Sequence, residues 1–224
     1  MMRGIGLYCG TFNPIHNGHL LIAECARDQF NLEKVLFVTS AKPPHRHSGL
    51  LPSELRHQLV TVAVEDNSHF EASRLELDRS GPSYTIDTVA SVRQMCGEDV
   101  EVNLIIGGDN LKKIGEWHKA QQLVEWCRFL VAPRLVYEET VLTRPQNHRE
   151  AAVLERVLED APEMCDLPGA KVSIIEFPAV SISSSQVRER IAAGKSVLYM
   201  VPEAVNQILL QSRELLIEAA GEHQ

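Results

Sequence analysis

Short apolar runs recur along the chain, and each gives way to a segment with helical spacing. Ile5 to Tyr8, Lys34 to Thr39, Val102 to Ile106, Arg128 to Ala132 and Val172 to Phe177 read as strands, and Phe70 to Leu77 as a further extended segment. Between them, Leu20 to Phe30, Ser53 to Asp66, the segment opening at Ser83, Lys119 to Glu125, Ser183 to Ala193 and Pro202 to Leu216 read as helices. In the second of these, Ser53 resembles an N-cap and Leu55, Leu59, Val62 and Ala63 follow at helical spacing. Strand and helix alternate from end to end. That pattern predicts an α/β fold: a Rossmann-like, doubly wound, mostly parallel sheet with helices on both faces.

Bulk properties narrow the field. With 224 residues the chain reads as one domain, 1–224. Residues 140–169 are polar, hold a helix over Arg149 to Glu159 and read as an insertion; 183–216 form a C-terminal helical part. A formal net charge of −8 excludes a globally basic surface, so nucleic acid is not expected as a partner. No apolar run approaches the ~18 residues that cross a membrane. Met1-Met2-Arg3-Gly4 leads into a strand without the apolar core of a secretory signal. The five cysteines are widely spaced, with no C-x-x-C pair. Reduced thiols in a cytoplasmic protein are the expectation. The residues carry no signal for an oligomeric state.

The unusual residues fall just after strands. Gly10 to His19, Lys42 to His47, Gly107 to Asn110 and Ser181 to Ser185 would therefore gather at one edge of the sheet, where such folds bind ligands. The first stretch is a Gly/Thr/Asn/Pro turn with two histidines three positions apart, His16 and His19. A strand-to-helix turn aims main-chain N–H groups and a helix N-terminus at one spot, which attracts anions. Metal binding is the rival, but the pair has no nearby third ligand for a zinc site. Neither G-x-G-x-x-G nor Gly-Lys-Ser/Thr is present. At the other end, Ser183-Ser184-Ser185 precedes Arg188 by one turn. Hydroxyls, free N–H groups and a guanidinium make a second candidate phosphate site.

The first stretch resembles the T/H-x-G-H signature of the nucleotidyltransferase superfamily, and Ile182-Ser183-Ser184-Ser185-Gln186-Val187-Arg188 resembles its second signature, I-S-S/x-T-x-I-R. The resemblance implies that His16, His19 and Arg188 act on the triphosphate of a nucleotide, with Gly10, Thr11, Phe12, Gly18, Ser184 and Ser185 beside it. Three further segments resemble bacterial nicotinate-nucleotide adenylyltransferases. Ser83-Tyr84-Thr85-Ile86-Asp87-Thr88 is similar to S-Y-T-x-x-T, which implies contact of Tyr84 and Thr85 with a nicotinate carboxylate. Lys42-Pro43-Pro44-His45 is similar to the P-P-H loop, which implies Lys42 and His45 near the mononucleotide phosphate. Gly107-Gly108-Asp109-Asn110 and Trp117 are similar to I-G-x-D and a downstream tryptophan, implying Gly108 and Asp109 on ATP and Trp117 stacked on the pyridine ring. The likeness runs from Gly4 to about Leu210. Cys9 stands where the family usually has Gly, Asn13 where bacterial members have Asp, and Ser185 where Thr is usual.

The implied reaction is adenylyl transfer. ATP and nicotinate mononucleotide would give nicotinate adenine dinucleotide and pyrophosphate, in NAD biosynthesis. Mg2+ is expected on the substrate phosphates, with no protein metal cage. Two alternatives stand beside it: the same reaction on nicotinamide mononucleotide, and a nucleotide-binding sensor without chemistry.

Overall fold

The computed structural model describes residues 4–43, 48–97, 100–111, 113–133, 169–178 and 180–221. His45, the expected helix over Arg149 to Glu159 and nearly all of the 140–169 segment lie outside the described residues.

Six strands form one sheet: β1 (Gly4–Gly10), β2 (Lys34–Thr39), β3 (Phe70–Ser73), β4 (Glu101–Gly107), β5 (Cys127–Ala132) and β6 (Lys171–Ile174). Their order is β3-β2-β1-β4-β5-β6 and every pairing is parallel. The helices are α1 (Asn17–Gln29), α2 (Ser53–Val64), α3 (Thr85–Cys96), the single turn α4 (Gly108–Leu111), α5 (Ala120–Trp126), α6 (Ser184–Ala192), α7 (Glu203–Gln211) and α8 (Arg213–Gly221).

Neighbouring strand residues serve opposite cores, because strand side chains alternate faces. Val35, Phe37, Ile105 and Leu130 pack with α1, α2, α6 and α7 on one face. Leu36, Val38, Leu104, Phe129 and Val131 pack with α3 and α5 on the other. Covered on both sides, the strands are mostly apolar on both faces, with Asn103 of β4 a buried polar exception, which is why they stand out as short apolar runs.

Three expectations change in detail. The terminal helical stretch is two helices rather than one. It breaks at Ser212, the C-cap residue of α7, and α8 packs against α6. The extended segment from Phe70 stops at Ser73, where Arg74 turns outward to pair with Glu54 and Asp78. The cap of α2 is Pro52, not Ser53, which is already helical.

The strand order reverses between β1 and β4. Crossovers leave that point in opposite directions, so a crevice opens beyond the carboxyl ends of the two strands. The turn after β1 and the Gly-Gly-Asp-Asn segment after β4 both border it.

Candidate active site

The turn after β1 is built around aromatic packing. Phe12 has φ +44°, in the left-handed region that a bulky residue avoids. Its ring is buried and meets Tyr8 edge-on at 5.6 Å and His19 at 5.2 Å. A Cβ on Gly10 would sit 2.8 Å from that ring, so glycine here is a requirement of Phe12. At Gly18 the fit is tight rather than prohibitive: an added Cβ would lie 3.1 Å from the His16 imidazole.

His16 caps α1, and His19 is the third residue of the helix. Their rings stack with centroids 3.7 Å apart and planes 25° from parallel. The His16 main-chain N–H donates to Nδ1 of His19 at 3.2 Å. That bond leaves the proton of a neutral His19 on Nε2. Burial pushes His16 down to about 4. Burial, and then the neighbouring His16, push His19 well below its ordinary value. Without a ligand, burial thus favours the neutral form of both rings at pH 7.

The second signature docks directly on the first. Ser183 caps α6, accepting from the Gln186 N–H at 3.2 Å while Gln186 Oε1 accepts from the Ser183 N–H at 2.9 Å. Ser184 Oγ donates to the Pro14 carbonyl at 2.8 Å. Arg188 is buried, and its Nη1 donates to the Asn13 carbonyl at 2.7 Å while Nη2 donates to Ser185 Oγ at 3.3 Å. The two ends of the chain thus form one wall.

A cleft of about 690 Å³ lies there. Of the residues expected on ATP, Gly10, Thr11, Phe12, His16, Gly18, His19, Asp109, Ser184 and Ser185 line it. Thr85 and Trp117 line it as well. Gly108 does not; Gly107 takes that place, and a Cβ there would fall 2.6 Å from Asp109 Oδ1. Arg188 sits behind the lining, bonded to it. Lys42 is exposed and outside the lining. Tyr84 is the N-cap of α3 and stacks on His118 at 4.4 Å, a partner with no signal in the sequence.

Several supporting bonds escape sequence reading. Ser83 Oγ accepts from the N–H groups of Ala41 and Lys42 at 3.1 and 3.2 Å, tying the start of the Lys42 loop to α3. Asn13 Nδ2 donates to the Gly49 carbonyl at 2.8 Å, and Oδ1 accepts from the Leu51 N–H at 2.9 Å. The amide supplies donor and acceptor together, which gives the Asn13 departure a structural account. Arg79 lies against the first turn of α3, with Nη2 3.2 Å from Thr88 Oγ1, which donates to the buried Glu76 at 2.8 Å. Arg79 and the buried Glu76 thus place opposite charges beside the first turn of α3.

Among the described residues no cluster of three His, Cys, Asp or Glu side chains could hold a metal ion, and no helix is long and apolar enough to cross a membrane.

Comparison with known proteins places this architecture. The cytidylyltransferase-like family model matches residues 7–190. A relative in Moorella thermoacetica, named "Probable nicotinate-nucleotide adenylyltransferase", is 37% identical over 206 residues, spanning 92% of this chain and 88% of its own length. One of the same name in Synechococcus sp. (strain JA-3-3Ab) is 36% identical over 212 residues, spanning 94% of each. Among solved structures, Plasmodium falciparum nicotinic acid mononucleotide adenylyltransferase complexed with NaAD superposes with a TM-score of 0.71 at 16% identity, covering 95% of this chain and 97% of that one. The last likeness is one of fold; the sequence relatives carry the family. With the family model covering most of its length and curated relatives aligned nearly end to end, the chain belongs to the nicotinate-nucleotide adenylyltransferases, within the cytidylyltransferase-like family.

Proposed function

We propose that the cleft joins ATP to nicotinate mononucleotide, giving nicotinate adenine dinucleotide and pyrophosphate for NAD synthesis. The observation that carries this reading is the direct bonding of the two phosphate-binding signatures, Arg188 to Asn13 and Ser184 to Pro14, around one cleft at the strand-order reversal. The names of the curated relatives and the NaAD-bound neighbour support the substrates.

A phosphate oxygen of the mononucleotide attacks the α-phosphorus of ATP. The bond from that phosphorus to the β-bridging oxygen breaks, and pyrophosphate leaves with the electron pair. The nucleophile is already an anion, so no strong general base is needed. Catalysis rests on holding the two phosphates in line and on stabilising charge on the leaving group. His19 Nε2–H and the His16 ring donate to the polyphosphate as neutral groups. The hydroxyls and free N–H groups at the start of α6 assist, and Arg188 fixes the turn that carries the histidines while adding positive charge behind it.

Magnesium would accompany the nucleotide, bound on its phosphates. Such an ion keeps several waters and needs one or two carboxylates at most. The cleft lining carries one carboxylate, Asp109, which could take one place in such an ion's shell. When bound, it would neutralise charge on the phosphates. On the acceptor side, Trp117 supplies a stacking face, and the N-terminus of α3 supplies the field for a carboxylate. Free Cys9, Cys25, Cys96 and Cys127 suit a cytoplasmic enzyme.

The test is incubation with ATP, magnesium and either mononucleotide, reading pyrophosphate and dinucleotide. Turnover on the acid form is expected. Turnover on the amide alone would move the assignment to nicotinamide mononucleotide, and ATP binding without pyrophosphate would make the protein a sensor.

A further inference from the structure

A second buried cation adjoins the phosphate-binding turn, and the reaction scheme leaves it unused. Arg56 on α2 is 1% exposed. Among the described residues no carboxylate pairs with it. Its donors go to main-chain carbonyls instead. Nε donates to Leu51 at 3.0 Å, Nη1 to both Thr11 and Ser40 at 2.7 Å, and Nη2 to Ala41 at 3.4 Å. Burial lowers the guanidinium to about 10, which leaves it charged at neutral pH. A charge held this deep is expensive unless its surroundings use it.

The carbonyls of the turn show the use. Gly10 O accepts from the Ser40 N–H at 2.9 Å, Thr11 O from Arg56 at 2.7 Å, Asn13 O from Arg188 at 2.7 Å and Pro14 O from Ser184 at 2.8 Å. Four carbonyl oxygens of the turn are each fixed on a donor of their own. A carbonyl left loose in such a turn could swing towards a bound phosphate and repel it. In a planar trans peptide the C=O and N–H point opposite ways. Fixing the Thr11 carbonyl on Arg56 therefore aims the Phe12 N–H away from α2.

We propose that Arg56 is a positioning residue for polyphosphate binding. It pulls the Thr11 carbonyl back from the anion, ties the turn to the end of β2 through the Ser40 and Ala41 carbonyls, leaves the N–H groups of the turn for the phosphates, and adds its own positive charge behind them. The inference rests on the reading that the cleft takes ATP.

The discriminating readout is charge-dependent affinity. Dissociation constants for ATP and for adenosine are measured by calorimetry on the wild-type protein, R56Q and R56K, with folding checked by circular dichroism. R56Q should loosen ATP about 30-fold and adenosine less than about twofold, because only the phosphates sense the turn. R56K keeps the charge but loses the planar fork, and should loosen ATP about fivefold with adenosine unchanged. ATP and adenosine weakened by the same factor, or neither weakened, would overturn the proposal. If R56Q does not fold, R56K decides alone by the same comparison. A wild-type protein that makes no dinucleotide contradicts the adenylyl-transfer reading. An active wild type whose Arg56 variants treat the two ligands alike contradicts only the role of Arg56.

Discussion

Arg188 reaches across 175 positions of sequence to donate to the Asn13 carbonyl at 2.7 Å. The bond joins the helix that closes the site to the turn that opens it. A planar fork is needed to serve Asn13 and Ser185 together, and an ammonium cannot reproduce it. Arg188→Lys should lower kcat by about 100-fold while leaving most of the fold intact. Steady-state rates with a thermal melt check this; a loss below about fivefold would remove the geometric role.

His19 lines the cleft, and its Nδ1 accepts from the His16 N–H. His19→Ala should leave the circular dichroism spectrum unchanged and reduce turnover by about 100-fold or more. Near-normal turnover in a folded variant would remove His19 from the chemistry.

Acid should destabilise the protein through the same pair. The folded-state value of His16 is depressed to about 4 from an ordinary 6.5. Between those values the unfolded chain takes up a proton that the folded one refuses. Stability is therefore fully present above about pH 6.5 and falls as the pH drops towards 4, by about 3 kcal/mol for this group. His19 and His57, also lowered, add the same sign. Denaturant midpoints measured from pH 7 to 4 should fall less steeply in His16→Asn than in the wild type. Equal slopes would contradict the burial argument.

Trp117 is half-buried, packed against the α3 and α5 core and open to the cleft. Stacking on a pyridine ring is worth about 0.5–1.5 kcal/mol beyond burial. Trp117→Ala should raise the KM for the mononucleotide by about three- to tenfold and leave that for ATP nearly unchanged. A rise confined to ATP would place the ring on the wrong substrate.

Much of this was legible in the chain. Strands covered on both faces are mostly apolar, so the Val35 to Val38 run marks β2 and its polar ends, Lys34 and Thr39, match those observed. The two phosphate signatures are local motifs and were found as such. What escaped depends on contacts between distant segments. Arg56 reads as one more polar residue on α2; the only hint is its place three positions before Leu59, on the apolar face. Ser83 looks like a helix cap but bonds backwards to Ala41 and Lys42. His118 stacks on Tyr84 across 34 positions of sequence, which no spacing rule foretells. The break at Ser212 follows from how α8 packs, not from propensity alone.

The most direct test of the central claim is a paired assay. The protein is incubated with magnesium and ATP plus nicotinate mononucleotide, or plus nicotinamide mononucleotide, and pyrophosphate is followed together with the dinucleotide. The expected result is stoichiometric pyrophosphate and nicotinate adenine dinucleotide, with kcat/KM favouring the acid substrate. Pyrophosphate from neither mononucleotide, in a folded protein that binds ATP, would contradict it.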